Sequence, residues 1–294
     1  MGYHVEIDKK SGFCSGVIQA IRCAEKALEG NKKVYSLGAI VHNNEELRRL
    51  QEKGLNIIRH TDLPTLPKDA TVLVRAHGEP PSTYAQIEQH GLHLLECTCP
   101  VVLKLQKKIK QEHTRIKPHN GQIILFGKKG HAEVVGLIGQ VGGDALVIEN
   151  ETDVNSLVFT GGPVSLFSQT TKNPEHYKAT AHQLRKTITS RGLDPSLLTV
   201  FNTICAQVDN RHEELAHFAR NRSLILFVAG KESSNGKVLF QTCKSANPRS
   251  YAIENPEGIS QKWFRSGDTV GVCGATSTPL WLMEQVAETV RNMP

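Results

Sequence analysis

The sequence contains no run of about 18 apolar residues in its 294 positions, which excludes an ordinary membrane-spanning helix. Aromatic residues make up only 5%, and no basic stretch is interleaved with them, so a stacking platform for nucleic acid is not expected. Neither GxxxxGK[ST] nor GxGxxG occurs, which argues against a nucleotide or flavin fingerprint. No ferredoxin-like run of closely spaced cysteines is built in. Low-complexity tracts are also missing: Pro64–Pro67 reads as a local loop, and Gly142-Gly143 and Gly161-Gly162 as turns. The opening MGYHVEIDKKSGFC has neither a secretory apolar region nor an Arg/Ser-rich leader, so the expected location is cytoplasmic. Seven cysteines are an odd number, without the spacings of a disulfide framework. In a reducing compartment such residues are metal ligands, catalytic groups or core filler. Lys and Arg total 35 against 29 Asp and Glu, and the resulting +6 is mild. It suits an anionic small molecule or an acidic protein partner that a positive surface would steer.

What the chain does contain is one pattern written three times. Cys14 leads CSGVIQAIRCAEKALEG, Cys99 leads CPVVLKLQKKIKQEHTR, and Cys205 leads CAQVDNRHEELAHFARN, each with apolar residues at helical spacing. A short apolar strand follows each helix: KKVYSLG, GQIILFG and SLILFVAG. Next come a polar loop, a second strand (LNIIRH, ALVIEN, SYAIEN), a third strand ending in another polar loop, and a closing helix. The offsets from cysteine to first loop are 28, 32 and 29 residues, measured to His42, His131 and Ser234. Alternating strands and helices predict parallel-sheet α/β units, here three lobes over 1–98, 99–201 and 202–294, with the C-terminal segment able to pack on the first. Ligands of such sheets gather beyond the carboxyl ends of strands, where all six polar loops fall.

A cysteine at a helix start sees the positive end of the helix dipole, which favours the thiolate. Cys14, Cys99 and Cys205 hold that position, and Pro100 suits the first turn after Cys99. Thiolates bind iron–sulfur clusters or zinc, and a four-iron cubane held by three of them keeps one iron open. The three stand 85 and 106 residues apart, so their shared register rather than a local spacing groups them. Cys97 forms Cys-Thr-Cys with Cys99 but lacks the helix-start position, and Cys99 is preferred. Cys23 faces the opposite side of its helix from Cys14, Cys243 has no counterpart in the other units, and Cys273 lies within a strand rather than after it.

The polar loops carry His42, His77, His131, Ser233, Ser234, Asn235 and Ser277, a set of neutral and cationic donors suited to crowded phosphate oxygens. Glu133 is the carboxylate of a His-x-Glu setting and is the candidate proton donor, with Gln169 and Thr170 placed to relay the proton or hold a hydroxyl.

Together, GFCSGV, HNN, RAHGEP, TCP, GHAEVVG, SQTT, TIC, SSN and STP resemble the 4-hydroxy-3-methylbut-2-enyl diphosphate reductase (IspH/LytB) family, in the family's order and over nearly the whole chain. The resemblance implies a cloverleaf of three α/β lobes around a 4Fe-4S cluster with Cys14, Cys99 and Cys205 as ligands. It also implies reductive removal of the hydroxyl of an allylic diphosphate by two electrons and two protons. The products would be isopentenyl and dimethylallyl diphosphate, at the last step of the non-mevalonate isoprenoid pathway. By the same likeness His42, His77, His131, Gln169, Thr170, Ser233, Ser234, Asn235 and Ser277 are substrate contacts, with Glu133, His131 and Thr170 catalytic. Electrons would come from an external donor such as ferredoxin or flavodoxin. Three places depart from the family pattern: Gln207-Val208 after TIC, Cys273-Gly274-Ala275-Thr276 before Ser277, and Cys97. Two readings of other classes stand beside this one. They are a zinc-dependent phosphate-ester hydrolase and a non-catalytic iron–sulfur sensor that binds nucleic acid.

Overall fold

The computed structural model describes residues 3–30 and 33–293. Lys32, at which the first expected strand begins, lies outside the described residues. The chain opens with strand β1 (His4–Ile7) and helix α1 (Ser15–Glu29). The first repeat continues through β2 (Val34–Leu37), α2 (Asn44–Glu52), β3 (Leu55–Ile58), β4 (Thr71–Val74), α3 (Pro81–Gln89) and β5 (His93–Glu96). The second contains α4 (Pro100–Ile116), β6 (Gln122–Phe126), α5 (Ala132–Gly139), β7 (Leu146–Ile148), β8 (Val164–Ser168), α6 (Pro174–Ser190) and β9 (Leu198–Val200). The third contains α7 (Ala206–Arg220), β10 (Leu224–Val228), α8 (Ser234–Ala246), β11 (Ser250–Ile253), β12 (Thr269–Gly274) and α9 (Leu280–Arg291).

These strands form three four-stranded parallel sheets, ordered β3-β2-β4-β5, β7-β6-β8-β9 and β11-β10-β12-β1. The order is the same each time, yet the last place of the third sheet is taken by β1 from the other end of the chain. Each of these last strands runs toward a cysteine: β1 toward Cys14, β5 toward Cys99 and β9 toward Cys205. The central strands are apolar on both faces, as parallel strands covered by helices must be. In β6, Ile124 and Phe126 enter one core and Ile123 and Leu125 another, following the two-residue period of a strand. In β10, Leu224, Leu226 and Val228 face α9, while Ile225 and Phe227 pack with Leu215 of α7 and Leu239 of α8.

Three segments that the sequence predicts as polar loops are helices: α2, α5 and α8. Each starts on a side-chain cap that accepts a backbone N–H: Asn43 from Glu46, His131 from Glu133, and Ser233 from Gly236. The polar motifs are therefore largely caps and first turns of helices, which turns backbone donors toward the strand ends.

The chain divides into two compact units. The first comprises Met1–Lys33, Ala39–Ile57 and Ala206–Pro294, and the second Val34–Gly38 and Ile58–Cys205. Within the first, α9 packs against β1, so the C-terminal helix lies on the N-terminal strand. Among the described residues no helix is long and apolar enough to cross a membrane.

Candidate active site

In each sheet the first and third strands of the repeat are neighbours, and their connections leave in opposite directions. That is the topological switch point at which α/β sheets bind ligands. The loops beyond β2 and β4 carry His42 and His77, those beyond β6 and β8 carry His131 and Thr170, and those beyond β10 and β12 carry Ser233 and Ser277. All the polar candidates thus lie in loops or first turns at switch points, and the cysteines at the helix starts that follow the last strands.

The first unit holds Cys14, His42, Ser233, Ser234, Asn235 and Ser277. Cys14 is the N-cap of α1, and its N–H donates to the carbonyl of Thr276 at 3.1 Å. Thr276 in turn donates to Asn235 Oδ1 twice, from its N–H at 3.1 Å and its Oγ1 at 2.8 Å. This fixes the Asn235 amide so that its Nδ2, buried and without a hydrogen-bond partner, is aimed as a donor. Ser233 and Ser277, both buried, stand 3.2 Å apart through their hydroxyls. Ser234 opens α8. His42 immediately precedes the cap of α2, and its carbonyl lies so close to Gly230 that a Cβ there would strike it. Lys231, two residues before Ser233, pairs with Glu254 at 2.9 Å.

The second unit holds His77, Cys99, His131, Glu133, Gln169, Thr170 and Cys205. Cys99 is the N-cap of α4, and its N–H donates to Ala76 O at 3.0 Å, in the same loop as His77. That loop turns at Gly78, whose φ of +70° and closeness to Gln106 Nε2 both exclude a side chain. Cys205 N–H donates to Thr170 O at 2.9 Å, so Cys205 is joined to the loop beyond β8. Glu133, 2% exposed, accepts from Thr170 N–H at 2.7 Å and from Thr170 Oγ1 at 2.8 Å. Burial outweighs these two donors and pushes its carboxyl up to about 7. His131 Nδ1 accepts the Glu133 N–H at 3.2 Å, which leaves Nε2 as the donor edge of the neutral ring. The His77 ring meets it edge-on at 5.3 Å. Gln169 accepts from Lys128 N–H at 3.0 Å and donates to Thr171 Oγ1 at 3.0 Å, bracing the loops beyond β6 and β8.

One expectation needs correction. The helix start was expected to lower the cysteine pKa, but for Cys99 burial raises it and outweighs the N–H groups of Val101 and Val102. The charges of Cys205 and Glu133 push in the same direction as burial. A thiolate here therefore calls for a cation to offset it. None of the seven cysteines is in a disulfide; Cys14, Cys99 and Cys205 are half-buried, whereas Cys97, Cys243 and Cys273 are buried. Half-buried thiols outside any disulfide at three matched helix starts are a donor set that fits a thiolate-ligated cluster.

Sequence reasoning missed two residues that hold this geometry. Thr276, noticed only as a departure from the family pattern, orients Asn235. Thr203 exchanges hydrogen bonds with Ser168 at 2.8 and 2.9 Å and so steadies the segment that enters Cys205.

The family model described as LytB protein matches residues 5–291. The 4-hydroxy-3-methylbut-2-enyl diphosphate reductase of Parabacteroides distasonis is 46% identical over 289 residues, covering 98% of each chain. The reductase of the same name from Porphyromonas gingivalis is 46% identical over 291 residues, covering 98% of this chain and 99% of its own. The solved structure of (E)-4-hydroxy-3-methyl-but-2-enyl diphosphate reductase, the terminal enzyme of the non-mevalonate pathway, is 30% identical. It superposes with a TM-score of 0.69 and full coverage of both chains. A Plasmodium falciparum E-1-hydroxy-2-methyl-but-2-enyl-4-diphosphate reductase shares the fold, with a TM-score of 0.88 at 23% identity over all of this chain and 90% of that one. With the family model matched over residues 5–291 and relatives 46% identical over nearly the whole chain, this chain belongs to the LytB family.

Proposed function

We propose that this protein is a 4-hydroxy-3-methylbut-2-enyl diphosphate reductase, the terminal enzyme of the non-mevalonate isoprenoid pathway, acting in the cytoplasm. In this reading three lobes, bounded at 1–98, 99–201 and 202–294, each present one helix-start cysteine. Cys14, Cys99 and Cys205 hold a 4Fe-4S cluster with one open iron, and an external protein such as a ferredoxin or flavodoxin supplies electrons. The cluster, when bound, supplies the two electrons of the reduction, one at a time.

The chain's own residues bind, orient and protonate. Ser233, Ser234, Asn235 and Ser277 offer neutral donors to the diphosphate, with His42, His77 and the Nε2 edge of His131 as further donors. Gln169 keeps the loops beyond β6 and β8 in place. Glu133 holds the proton, because a carboxyl titrating at about 7 is substantially protonated at neutral pH. Protonated Glu133 donates to Thr170 Oγ1, whose own hydrogen is then free to turn to the substrate hydroxyl. That proton leaves with the hydroxyl as water when the C–O bond breaks. The two electrons remain with the allylic carbons, and a second proton at one or other end of that unit gives dimethylallyl or isopentenyl diphosphate.

The observation that carries the reading is the buried Glu133–Thr170 pair, held to Cys205 through the Thr170 carbonyl. Anaerobic purification tests it. Brown protein with visible absorption and about four irons per chain is expected; a colourless zinc protein contradicts it.

A further inference from the structure

Beneath the Cys14 and Ser277 loops lies a buried polar group that the reaction does not use directly. Arg211, on α7, is 5% exposed, and its Nη2 donates to both Asp8 Oδ2 and Ser11 Oγ. Asp8 continues the β1–β12 ladder through its N–H to Val272 O at 2.9 Å. Its carboxylate also accepts from Lys10 N–H at 3.2 Å and from Ser11 Oγ at 3.0 Å. Ser11 Oγ in turn accepts the N–H of Gly274 at 2.9 Å. Two segments leave this knot. From Ser11 the chain turns at Gly12, at φ +125°, and reaches Cys14. From Gly274 it runs to Thr276, which binds the Cys14 N–H and orients Asn235, and then to Ser277.

We infer that Arg211 is a positioning residue which, through Asp8 and Ser11, locks the Cys14 segment and the 274–277 loop into one arrangement. The inference rests on the reductase reading for the ligand's identity, but not for the geometry. A buried ion pair is weak evidence of stability, since two ions must lose their water, and its best-attested use is to fix one arrangement among several. Here the guanidinium reaches a carboxylate and a hydroxyl from one nitrogen, while Nη1 is buried without a hydrogen bond and lies 3.8 Å from Glu214. An apolar residue would fill the space but leave Ser11 free to rotate away from Gly274. The donors of Asn235 and Ser277 would then lose their fixed aim, while the Glu133–Thr170 pair in the second unit would keep its own geometry.

The test uses anaerobically purified holoenzyme and two variants, R211M and S11A. Ser11→Ala cuts the link to Gly274 without stranding a buried charge, so it remains informative if Arg211→Met fails to fold. Inorganic diphosphate binding is measured by calorimetry, and KM and kcat with the allylic diphosphate across pH. Loss of one neutral hydrogen bond predicts roughly 2- to 12-fold weaker diphosphate binding in S11A, with KM raised in step. The midpoint of the kcat–pH profile is expected to stay where it is in the wild type. Folded R211M should show a larger loss of the same kind, partly restored by Arg211→Lys. Unchanged diphosphate affinity in S11A, or a shifted kcat midpoint with unchanged KM, overturns the inference while leaving the reductase reading intact. If the wild type does not turn over the allylic diphosphate, the reductase reading fails, and the diphosphate affinities alone still decide the role of Arg211.

Discussion

In the second unit the site is built around a carboxylate, Glu133, 2% exposed and held by the N–H and hydroxyl of Thr170. In the first unit Ser233, Asn235 and Ser277 are equally withdrawn from water but carry no formal charge. The same burial has different consequences for the two. It moves the proton affinity of a titratable group into the neutral range, whereas it leaves the neutral Asn235 Nδ2 without a partner and ready for an acceptor. One region is thus suited to holding a proton and the other to holding an anion, and a repeated architecture carries both by exchanging a few side chains at equivalent strand ends.

The largest expected effect belongs to the three helix-start cysteines. Cys14→Ser, Cys99→Ser and Cys205→Ser should each lose or severely damage the cluster and abolish turnover, while Cys23→Ser, Cys97→Ser and Cys243→Ser retain iron. Iron and sulfide analysis of anaerobic preparations checks this; full iron in Cys99→Ser with loss in Cys97→Ser would reverse the choice between those two.

Next in size is the proton-holding region. Glu133→Gln should fold, keep its iron and bind diphosphate, but turn over about 10²- to 10⁴-fold more slowly. In the wild type kcat should fall as pH rises through about 7, where Glu133 loses its proton. Stability has the same sign. The folded-state pKa is raised above the ordinary carboxylate value, so the stabilising contribution is complete at low pH and is lost as pH rises through about 7. Melting curves should therefore show a wild-type Tm that declines over this window relative to Glu133→Gln. Parallel curves for the two proteins would mean that Glu133 is already ionised.

The smallest effect belongs to the anion-holding region. Asn235→Ala should weaken diphosphate binding by roughly 10- to 150-fold, with kcat little changed. Calorimetry measures the first and saturation kinetics the second. Loss of kcat with unchanged affinity would transfer Asn235 from binding to chemistry.

The alternation of apolar strands with amphipathic helices was legible because β6 and β10 are buried on both faces and α1 and α4 on one. The last strands of the first two sheets, β5 and β9, were not. In β5, His93, Leu94 and Glu96 are exposed, and β9 has three residues, so neither shows a continuous apolar run. Helix α2 (NEELRRLQE) buries only Glu46 and Leu50, too little for a helical stripe in the sequence. Glu46 is buried because Arg49 and Trp281 bind its carboxylate, a tertiary arrangement with no local signal. The candidate site residues stand out because their register repeats. Thr276 and Thr203 were missed because they act by holding other residues, and such a role leaves no spacing to read. The thiol of Cys99 was misjudged for a related reason: the helix start is visible in Thr-Cys-Pro, but the burial that outweighs it is not.

The central claim, reductive loss of a hydroxyl from an allylic diphosphate, is tested most directly by one assay. Anaerobic holoenzyme is given (E)-4-hydroxy-3-methylbut-2-enyl diphosphate and an artificial one-electron reductant, and the organic products and free phosphate are quantified. The account predicts isopentenyl and dimethylallyl diphosphate, with two electrons consumed per molecule converted and the diphosphate intact. Release of inorganic phosphate without consumption of reductant, or recovery of unchanged substrate, contradicts it.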